Sequence, residues 1–466
     1  MDKTMDKRTG VPVEVTFSSE HRPDDHAWVK EDLSGDVPYK LSRQADLKLT
    51  ADGAAVGRVL HVDPTTVYQK MRGIGISMEG TTVMNLWALT KEARMAVLRE
   101  WFDPQHGCGY NWVRLCCGTS DFSGVDWYTY DDVPGDIELK HFSIEKDQQL
   151  HIPEICREIL SINPALTFLM SPWSPPAWTK DNNDMTHGGH ILPQYYGVVA
   201  ELYARAVEAY RAEGVLITEF TTNNETRYGP DTYPGCLFTV DEEVAFAECL
   251  RATFDKHGLH YVKVLALDHN PELYEQAIEA LQKTDAIDAT AFHDYVGPLS
   301  NMSLVHDAFP HREIYFTERA VWGTAGANRI IQYMRNYCNS YMSWVSICDS
   351  NQMPNNSPYQ GMGFGTTLAF REAGSDSKFW FTPETYLIGQ FSRFIPYGSH
   401  RIESDYGDEQ GVSTLAVKAY GGDIVILAVN NGEQDETVTF DVKGEGRFTA
   451  TIPGKTMATY TCRTGK

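Results

Sequence analysis

The feature that most constrains the fold of this chain is the alternation of short apolar runs with amphipathic segments through its middle. Runs such as TFLM and VLAL are apolar on both faces, as in parallel strands that helices cover on both sides. Eight candidate strands follow this pattern: Arg72–Ser77, Trp112–Cys117, Leu166–Ser171, Leu216–Thr222, Val262–Leu267, Ile287–Phe292, Glu313–Thr317 and Ser343–Cys348. Eight successive strand–helix units predict an α/β fold, the (β/α)8 TIM barrel.

A doubly wound open sheet is the alternative that periodicity leaves open. No GxGxxG or P-loop follows any candidate strand, which disfavours the nucleotide-binding version of that fold. The segments between the strands predict helices at Leu86–Phe102, Tyr195–Arg211, Asp241–His257 and Pro271–Lys283. Prolines near two helix starts and glycines after two helix ends agree with these boundaries.

The tail of the chain has a different pattern, beginning at about Ser399. Short alternating segments such as STLAVKAYGG, DIVILAVNNG and ETVTFDVKG are separated by Asn-Gly and Gly-Gly pairs, which predicts β-hairpins. The N-terminal segment, with VPVEVTF and DLKLTADG, is also strand-like. We therefore predict that residues 1–66 contribute strands to a β-sandwich, that 67–394 form the barrel, and that 395–466 complete the sandwich.

The charge balance excludes several classes of partner. With 40 basic and 63 acidic residues, the net charge is −23. This balance argues against binding of nucleic acid or of an anionic membrane surface by charge. No apolar stretch reaches the roughly 18 residues that a transmembrane helix needs. We expect a neutral or cationic substrate as the partner. The sequence does not indicate the oligomeric state.

Cysteine usage indicates a reducing compartment. Nine cysteines cannot all pair, and Cys116 and Cys117 are adjacent in a predicted buried strand. No cysteine–histidine cluster has the spacing of a zinc site. The N-terminal MDKTMDKRTG lacks the apolar run of a signal peptide. We expect a cytoplasmic location, or secretion if a leader has been removed.

Side chains at the carboxyl ends of the barrel strands are the candidates for function, because barrel enzymes place their sites there. The fourth strand ends in Asn224 and Glu225, and the seventh ends in Glu318. The other candidates are Asp121 after the second strand, Trp173 after the third, Asp268 at the end of the fifth, His293 at the end of the sixth and Trp344 in the eighth.

Two carboxylates on strands four and seven are the pair that glycosidic cleavage needs. One protonates the leaving oxygen and the other attacks the anomeric carbon, and in retaining enzymes they lie about 5–5.5 Å apart. Their proximity also raises the pKa of one of them. A single Glu at a strand end is more often solvated or salt-bridged. The Asn-Glu pair, the second Glu and the upstream SPW together favour a glycoside hydrolase.

Four motifs carry a resemblance to a known family: SPWSPPAW (Ser171–Trp178), TTNNE (Thr221–Glu225), AFHDY (Ala291–Tyr295) and YFTE (Tyr315–Glu318). Together with RGIGISMEG near the first strand and FSRFIPYGSHRIES at the junction to the tail, they resemble glycoside hydrolase family 30. That family includes acid β-glucosidase, a glucosylceramidase. The resemblance runs in order from about Leu47 to the C-terminus.

The resemblance implies a (β/α)8 barrel joined to a β-sandwich built from both termini. It also implies a retaining double displacement, with Glu225 as acid/base and Glu318 as nucleophile. No metal or organic cofactor is implied, since two carboxylates suffice. The substrate-binding residues would be Asp121, Trp173, Asn224, His293, Tyr295 and Trp344, supported by Arg114 and Asp268.

Simpler structural roles stand beside these assignments. Trp173 and Trp344 also suit a hydrophobic core, and His293 suits a buried histidine with satisfied hydrogen bonds. Asp121 in SDFS also suits a turn or cap. Arg114 also suits charge neutralisation inside the barrel.

The chain departs from the family pattern at a few positions. Thr226 stands where many relatives have Pro, Asp294 where a Trp is common, and Glu79 where Thr-Asp is common. Trp322, shortly after the predicted nucleophile, is placed to shape the leaving-group side. These differences bear on the substrate more than on the reaction.

We expect hydrolysis of a β-D-glucosidic bond in a β-glucoside, a glucosylceramide-like glycoside or a β-1,6-gluco-oligosaccharide. A β-xylosidase or β-fucosidase of the same family is the nearest alternative. A non-catalytic carbohydrate-binding protein is the alternative from another class. A metal-dependent barrel enzyme using His187, His190, His293 and Asp294 is the third, although these residues lack tight ligand spacing.

Overall fold

The computed structural model describes residues 10–20, 37–51, 53–354, 356 and 368–463. In chain order the strands are β1 Val11–Ser19, β2 Ser42–Leu49, β3 Arg58–Lys70, β4 Gly73–Ser77, β5 Trp112–Cys116, β6 Thr167–Ser171, β7 Ile217–Thr221, β8 Lys263–His269, β9 Ala289–His293, β10 Glu313–Glu318, β11 Ser340–Ser343, β12 Ile347–Asp349, β13 Ala369–Arg371, β14 Phe379–Phe381, β15 His400–Ser404, β16 Val412–Lys418, β17 Ile424–Asn430, β18 Glu436–Val442, β19 Gly446–Ile452 and β20 Thr456–Cys462. The helices are α1 Gly80–Trp87, α2 Lys91–Phe102, α3 Glu145–Gln149, α4 Ile152–Ile162, α5 Tyr196–Ala212, α6 Val240–Lys256, α7 Tyr274–Lys283, α8 Ser300–Ala308, α9 Gly323–Arg335 and α10 Pro383–Phe394.

Eight parallel strands form the barrel, in the order β10-β9-β8-β7-β6-β5-β4-β11. The two ends of this sheet meet: Arg319 N donates to Met342 O at 3.1 Å, and Asn339 N donates to Ile314 O at 2.8 Å. Helices follow every strand. The predicted barrel is therefore confirmed, and the closure rules out the doubly wound open sheet.

The barrel interior is packed with side chains. One layer of buried residues fills its middle: Trp112, Leu169, Leu265, Ala289, Ala291, Tyr315 and Met342. Side chains two positions further along a strand face the same way, so Arg114 lies one layer above Trp112 on β5. The layer separates the carboxyl ends of the strands from their amino ends, as is usual in these barrels.

The eighth barrel strand was predicted in the wrong place. β11 runs from Ser340 to Ser343, not from Ser343 to Cys348, and Ser340 pairs with Gly73 of β4. The sequence SYMSWVSIC is apolar throughout, so its periodicity does not mark where the barrel strand ends. Trp344 consequently follows the strand instead of lying inside it.

The first predicted helix was also wrong, because Leu86–Phe102 contains the end of α1 and all of α2. Thr90 separates them: its side chain accepts a hydrogen bond from Ala93 N at 3.2 Å and caps α2. The helix predicted at Asp241–His257 is present as α6, where Thr239 and Glu242 form a reciprocal capping box.

Nine strands form the second sheet, in the order β19-β18-β3-β15-β16-β17-β20-β1-β2. Its two ends approach each other, since Thr50 after β2 bridges Arg447 of β19. A separate hydrophobic core, including Phe440, Tyr460 and Ile402, lies inside. Strands from both termini thus build the predicted β-sandwich.

Strand β3 was not predicted, because Pro64 interrupts its pattern. The pairing with β15 shifts register between Val67 and Asp63, so the proline lies in an irregular stretch. The predicted division of the chain at residues 66 and 394 stays a prediction. No helix in the described part of the chain is long and apolar enough to cross a membrane.

Candidate active site

Two glutamates meet at the carboxyl ends of the barrel strands. Glu318 is the last residue of β10, and Glu225 lies just beyond β7. A carboxylate oxygen of each, together with a ring nitrogen of His293, lies within 4.8 Å of the others. This spacing suits a nucleophile and an acid that act on one glycosidic bond, and it leaves no room for a water between them.

The backbone around Glu225 adopts an uncommon conformation. Glu225 has φ +48° and Asp268 has φ +46°, both in the left-handed region that non-glycine residues rarely occupy. Glu225 N donates to Asp268 O at 2.9 Å, and Asn224 N donates to Pro172 O at 2.7 Å. Tertiary hydrogen bonds therefore hold the glutamate at an angle that aims its side chain over the barrel.

Arg114 occupies the centre of the site, fully buried beneath the two glutamates. Its guanidinium donates to Glu318 Oε2 at 2.5 Å, to Asn224 Oδ1 at 2.8 Å and to Asp268 Oδ2 at 2.9 Å. The planar fork of an arginine suits three acceptors that lie in different directions. Arg114 thus connects strands β5, β8 and β10 with the segment after β7.

Asp268 is held as an anion by its neighbours. Burial raises its pKa, but Arg114 and His293 outweigh burial and lower it well below the ordinary value. Thr317 Oγ1 also donates to Asp268 Oδ1 at 2.5 Å. The carboxylate therefore balances the positive charges of Arg114 and His293 inside the barrel.

His293 bridges the two sides of the site. Its Nδ1 lies 3.1 Å from Glu225 Oε1, and its Nε2 lies 3.2 Å from Asp268 Oδ1. Burial disfavours the charged imidazolium, but Glu318, Asp268 and Glu225 outweigh burial and raise the pKa of His293 to about 10. A protonated ring donates from both nitrogens and fixes the orientation of Glu225.

The two glutamates have different environments. Burial raises the pKa of Glu225; His293 opposes this effect, and the charges of Glu318 and Asp268 add to it. Glu318 instead accepts two hydrogen bonds, from Arg114 and from the Tyr295 hydroxyl at 2.7 Å. Donors on both oxygens orient Glu318, and burial keeps a proton on Glu225 to higher pH.

A cavity of 690 Å³ opens above the two glutamates. Its wall includes Asp121, Tyr295 and Trp344 of the predicted substrate-binding residues. The pKa of Asp121 is raised well above its ordinary value by burial and by the charges of Glu318 and Glu225. The size and the mixture of aromatic and carboxyl groups suit a sugar residue with part of its leaving group.

Three predicted substrate-binding residues lie behind the cavity wall. Trp173, Asn224 and His293 are buried, and their contact with a sugar stays a prediction. Trp173 stacks on Trp344 with ring centroids 5.1 Å apart, and the Arg114 guanidinium lies 4.8 Å from the Trp173 ring. Trp173 therefore supports both the arginine and the cavity-lining Trp344.

The sequence analysis missed several wall residues: Phe122, Arg227, Tyr228, Tyr233, His269, Asn270, Glu272, Leu273, Val296, Arg319 and Ala320. Most of them stand one to six residues beyond a strand end, which is the signal that would have found them. Trp322, suggested for the leaving-group side, does line the cavity. The Arg319 guanidinium lies 4.7 Å from the Tyr295 ring centroid, beside the nucleophile position.

The three residues that depart from the family pattern do not line this cavity. Asp294 turns away from it, accepting from Arg329 Nε and the Tyr333 hydroxyl, both at 2.7 Å. Glu79 caps α1 by accepting from Thr82 N at 2.9 Å. Thr226 Oγ1 donates to Leu267 O at 2.9 Å. Each departure is thus used in local structure.

The metal alternative finds little support in the donor set. His187 contacts Asp184, and His190 contacts Glu242, each away from the glutamate pair. The atoms of Glu225, His293 and Glu318 lie close enough together to hold an ion. Both ring nitrogens of His293 already have partners, however: Nδ1 lies 3.1 Å from Glu225 Oε1 and Nε2 lies 3.2 Å from Asp268 Oδ1.

Replacing Arg114 by Met is expected to lower the free energy of unfolding by about 3–5 kcal/mol, because buried Asp268 and Glu318 lose their shared counter-charge. Urea denaturation followed by tryptophan fluorescence measures the change. Arg114→Lys keeps the charge but lacks the planar fork, so it should recover only part of the loss. A Met variant as stable as the original protein would contradict the bracing role.

The sequence of this chain is similar to those of known glycoside hydrolases. Residues 71–395 match the glycosyl hydrolase family 30 TIM-barrel domain, and residues 398–460 match the beta sandwich domain of the same family. The chain is 26% identical over 446 residues to lysosomal acid glucosylceramidase of Mus musculus, covering 89% of this chain and 85% of the relative. It is 25% identical over 435 residues to endo-1,6-beta-D-glucanase of Neurospora crassa, covering 89% and 88%.

Solved structures show the same fold. An endo-beta1,6-glucanase superposes with a TM-score of 0.82 at 23% identity, covering 97% of this chain and 99% of the other. SrfJ from Salmonella typhimurium superposes with a TM-score of 0.85 at 20% identity, covering 97% and 100%. The family matches confirm the resemblance and the predicted class of enzyme: this chain belongs to glycosyl hydrolase family 30 and is a glycoside hydrolase.

Proposed function

We propose that this protein hydrolyses β-D-glucosidic bonds with retention of configuration, using Glu318 as nucleophile and Glu225 as acid/base. The observation that carries the proposal is the approach of the two carboxylates to within 4.8 Å at the floor of one cavity. A retaining enzyme needs this spacing, whereas an inverting one separates its carboxyl groups by about 6.5–9.5 Å.

The surroundings of each glutamate suit its proposed role. Arg114 and Tyr295 donate to different oxygens of Glu318 and hold it in place for attack on the anomeric carbon. Glu225, whose pKa burial raises, keeps the proton that the leaving oxygen must receive. In the second step the deprotonated Glu225 takes a proton from water, and that water releases the sugar from Glu318.

Support for a glucoside substrate comes from the names of the relatives. One is a glucosylceramidase and another is an endo-1,6-beta-D-glucanase, and both act on β-linked glucose. A panel of aryl β-glycosides and β-linked disaccharides, with the product anomer followed by NMR, tests the proposal. The β-anomer of glucose as first product is expected. Faster turnover of xylosides or fucosides would identify a β-xylosidase or β-fucosidase instead. No turnover of any glycoside would favour a carbohydrate-binding protein.

The alkaline limb of the pH profile of kcat/KM is expected to report Glu225. Because burial raises its pKa, Glu225 stays protonated above the roughly pH 4.3 at which a free glutamate titrates, and activity falls as pH rises through that raised value. His293 does not cause a limb near neutral pH, since its pKa is raised to about 10. The measurement uses a substrate with a poor leaving group.

Glu225→Ala provides the control for this profile. The limb should disappear in the variant when an activated aryl glucoside is used, because that leaving group departs without a proton. An unchanged limb in the variant would assign the titration to another group.

We also propose a reducing compartment for this protein. All nine cysteines are free thiols, and eight of them are buried, including the adjacent Cys116 and Cys117. Burial raises the pKa of both thiols well above the ordinary value, so they resist oxidation. A cytoplasmic location agrees with these observations; a count of free thiols in protein purified without reductant tests the proposal.

A further inference from the structure

A second large cavity lies at the opposite end of the barrel from the glutamate pair. Its volume is 710 Å³, similar to the 690 Å³ of the first. Residues at the starts of barrel strands line it, including Arg72 before β4, Lys263 at the start of β8 and Glu313 at the start of β10. The packed layer around Trp112 and Tyr315 separates the two cavities. Nothing in the proposed hydrolysis uses this second space.

The charge of this second cavity is opposite to that of the chain. Four cationic side chains line it: Lys70, Arg72, Lys263 and Arg393. Two carboxylates, those of Glu219 and Glu313, also line it. The excess of two positive charges is notable because the whole chain carries −23. A concave positive site in an acidic protein concentrates small anions.

Both carboxylates already have partners, so they do not neutralise the whole site. Glu219 accepts from Arg72 Nε at 2.7 Å, from Trp112 Nε1 at 3.2 Å and from Thr218 Oγ1 at 2.6 Å. Glu313 accepts from Lys263 and from the Tyr315 hydroxyl. Among the described residues, Lys70 and Arg393 have no carboxylate within 4.0 Å. Arg393 Nη2 donates to Gln105 O at 2.7 Å, which leaves its other N–H groups for a ligand.

Arg72 has donors left for a ligand. It is 8% exposed, and its Nε and Nη2 atoms are engaged by Glu219, Thr167 and Thr218. Its Nη1 has no hydrogen-bond partner in the described part of the chain. A buried guanidinium edge with unused N–H groups, in the wall of a cavity, suits an anion with several acceptor oxygens.

Tyr397 adds an apolar face beside these cations. Its side chain is largely solvent-accessible, with 60% of the residue exposed. Lys70 Nζ lies 4.8 Å from the centroid of its ring, and Arg72 Cζ lies 5.8 Å from it. A ligand that joins an anionic group to a flat or cyclic apolar surface would contact all three side chains at once.

We propose that this second cavity binds a phosphorylated sugar. Lys70, Arg72 Nη1 and Arg393 hold the phosphate dianion, and the sugar ring packs on Tyr397. A phosphate offers three oxygens, matching three cationic donors that approach from different elements. The site would lie apart from the cavity where hydrolysis is proposed.

Isothermal titration at low ionic strength tests this site with three probes: glucose 6-phosphate, inorganic phosphate and glucose. The variant is the double change Lys70→Gln and Arg393→Gln, since both side chains are at least partly exposed and removal should not disturb folding. The matched control, Lys48→Gln with Lys418→Gln, removes two positive charges from the sandwich surface. Thermal unfolding midpoints verify that all variants are folded.

Glucose 6-phosphate is expected to bind the original protein and the control variant with equal affinity. Its affinity for the double variant should be at least about tenfold lower. Tyr397→Ala should weaken the binding of glucose 6-phosphate but leave the binding of inorganic phosphate unchanged. Equal binding by the double variant, or no binding to the original protein, would overturn the proposal. If inorganic phosphate bound as tightly as the sugar phosphate, the sugar ring would contribute nothing to binding, and the proposal of a sugar ligand would be overturned.

Discussion

Replacing Glu318 by Gln is expected to lower kcat/KM for aryl β-glucosides by about 10⁶-fold, the scale of loss when a covalent nucleophile is removed from a catalytic unit. The amide keeps the shape of the side chain, and its single oxygen can accept from either Arg114 or Tyr295, but it cannot form the glycosyl ester. Glu313→Gln is the matched control, because Glu313 begins the same strand, β10, at the other end of the barrel. It should retain activity.

Azide distinguishes the loss of a nucleophile from a general loss of structure. In Glu318→Ala the vacated space admits azide, which attacks the anomeric carbon once and yields the α-glucosyl azide by a single inversion. Formation of the β-glucosyl azide by this variant would mean that another residue still forms the covalent intermediate. Glu318 would then not be the nucleophile.

Replacing Glu225 by Ala is expected to produce the second-largest effect, and one that depends on the leaving group. Hydrolysis of substrates with poor leaving groups should fall by about 10²–10⁴-fold, because their oxygen must receive a proton as the bond breaks. The rate at which the glycosyl-enzyme forms from dinitrophenyl β-glucoside should change little, since this leaving group needs no proton. A series of aryl glucosides under single-turnover conditions measures the dependence.

With Glu225→Ala, azide should accelerate the second step and give the β-glucosyl azide. The covalent intermediate still forms on Glu318, and attack by azide then inverts the centre a second time. An equal loss on all leaving groups, with no azide product, would contradict the acid/base assignment. The opposite anomers expected from the two alanine variants make the role of each glutamate separately testable.

The position of the glutamate pair could be predicted from local pattern. Apolar runs bounded by polar residues mark parallel strands, and the carboxyl ends of parallel strands share one edge of the sheet. Glu318 ends one such run and Glu225 lies shortly beyond another, so the barrel places both at one edge. The tertiary hydrogen bond from Glu225 N to Asp268 O then orients Glu225. Where the apolar pattern continued past the strand end, as in the segment containing Trp344, the same reasoning misplaced the strand.

The surroundings of that pair could not be predicted in the same way. Arg114 contacts Asn224, Asp268 and Glu318, which are more than a hundred residues away along the chain, and no spacing rule connects them. Charge states were equally out of reach. The proton on His293 depends on burial and on three carboxylates from three different elements.

The cavity at the amino ends of the strands shows the same limit. Lys70 and Arg393 belong to segments far apart in sequence, and each alone has the pattern of an ordinary surface cation. Only the path of the chain brings them together with Arg72 around one space. A local pattern carries no information about which distant residues share a cavity.

The amino-acid sequence by itself determined seven of the eight barrel strands, the short alternating β segments of the tail, and the two glutamates that follow strand runs, because burial periodicity is a local property. Periodicity favoured the barrel over an open sheet, and the tertiary structure decided that the sheet closes. Only the tertiary structure decided how closely the glutamates approach, which groups set their protonation, and which side chains line each cavity. Those quantities depend on distances between remote segments, and electrostatic energies and pKa values follow from such distances.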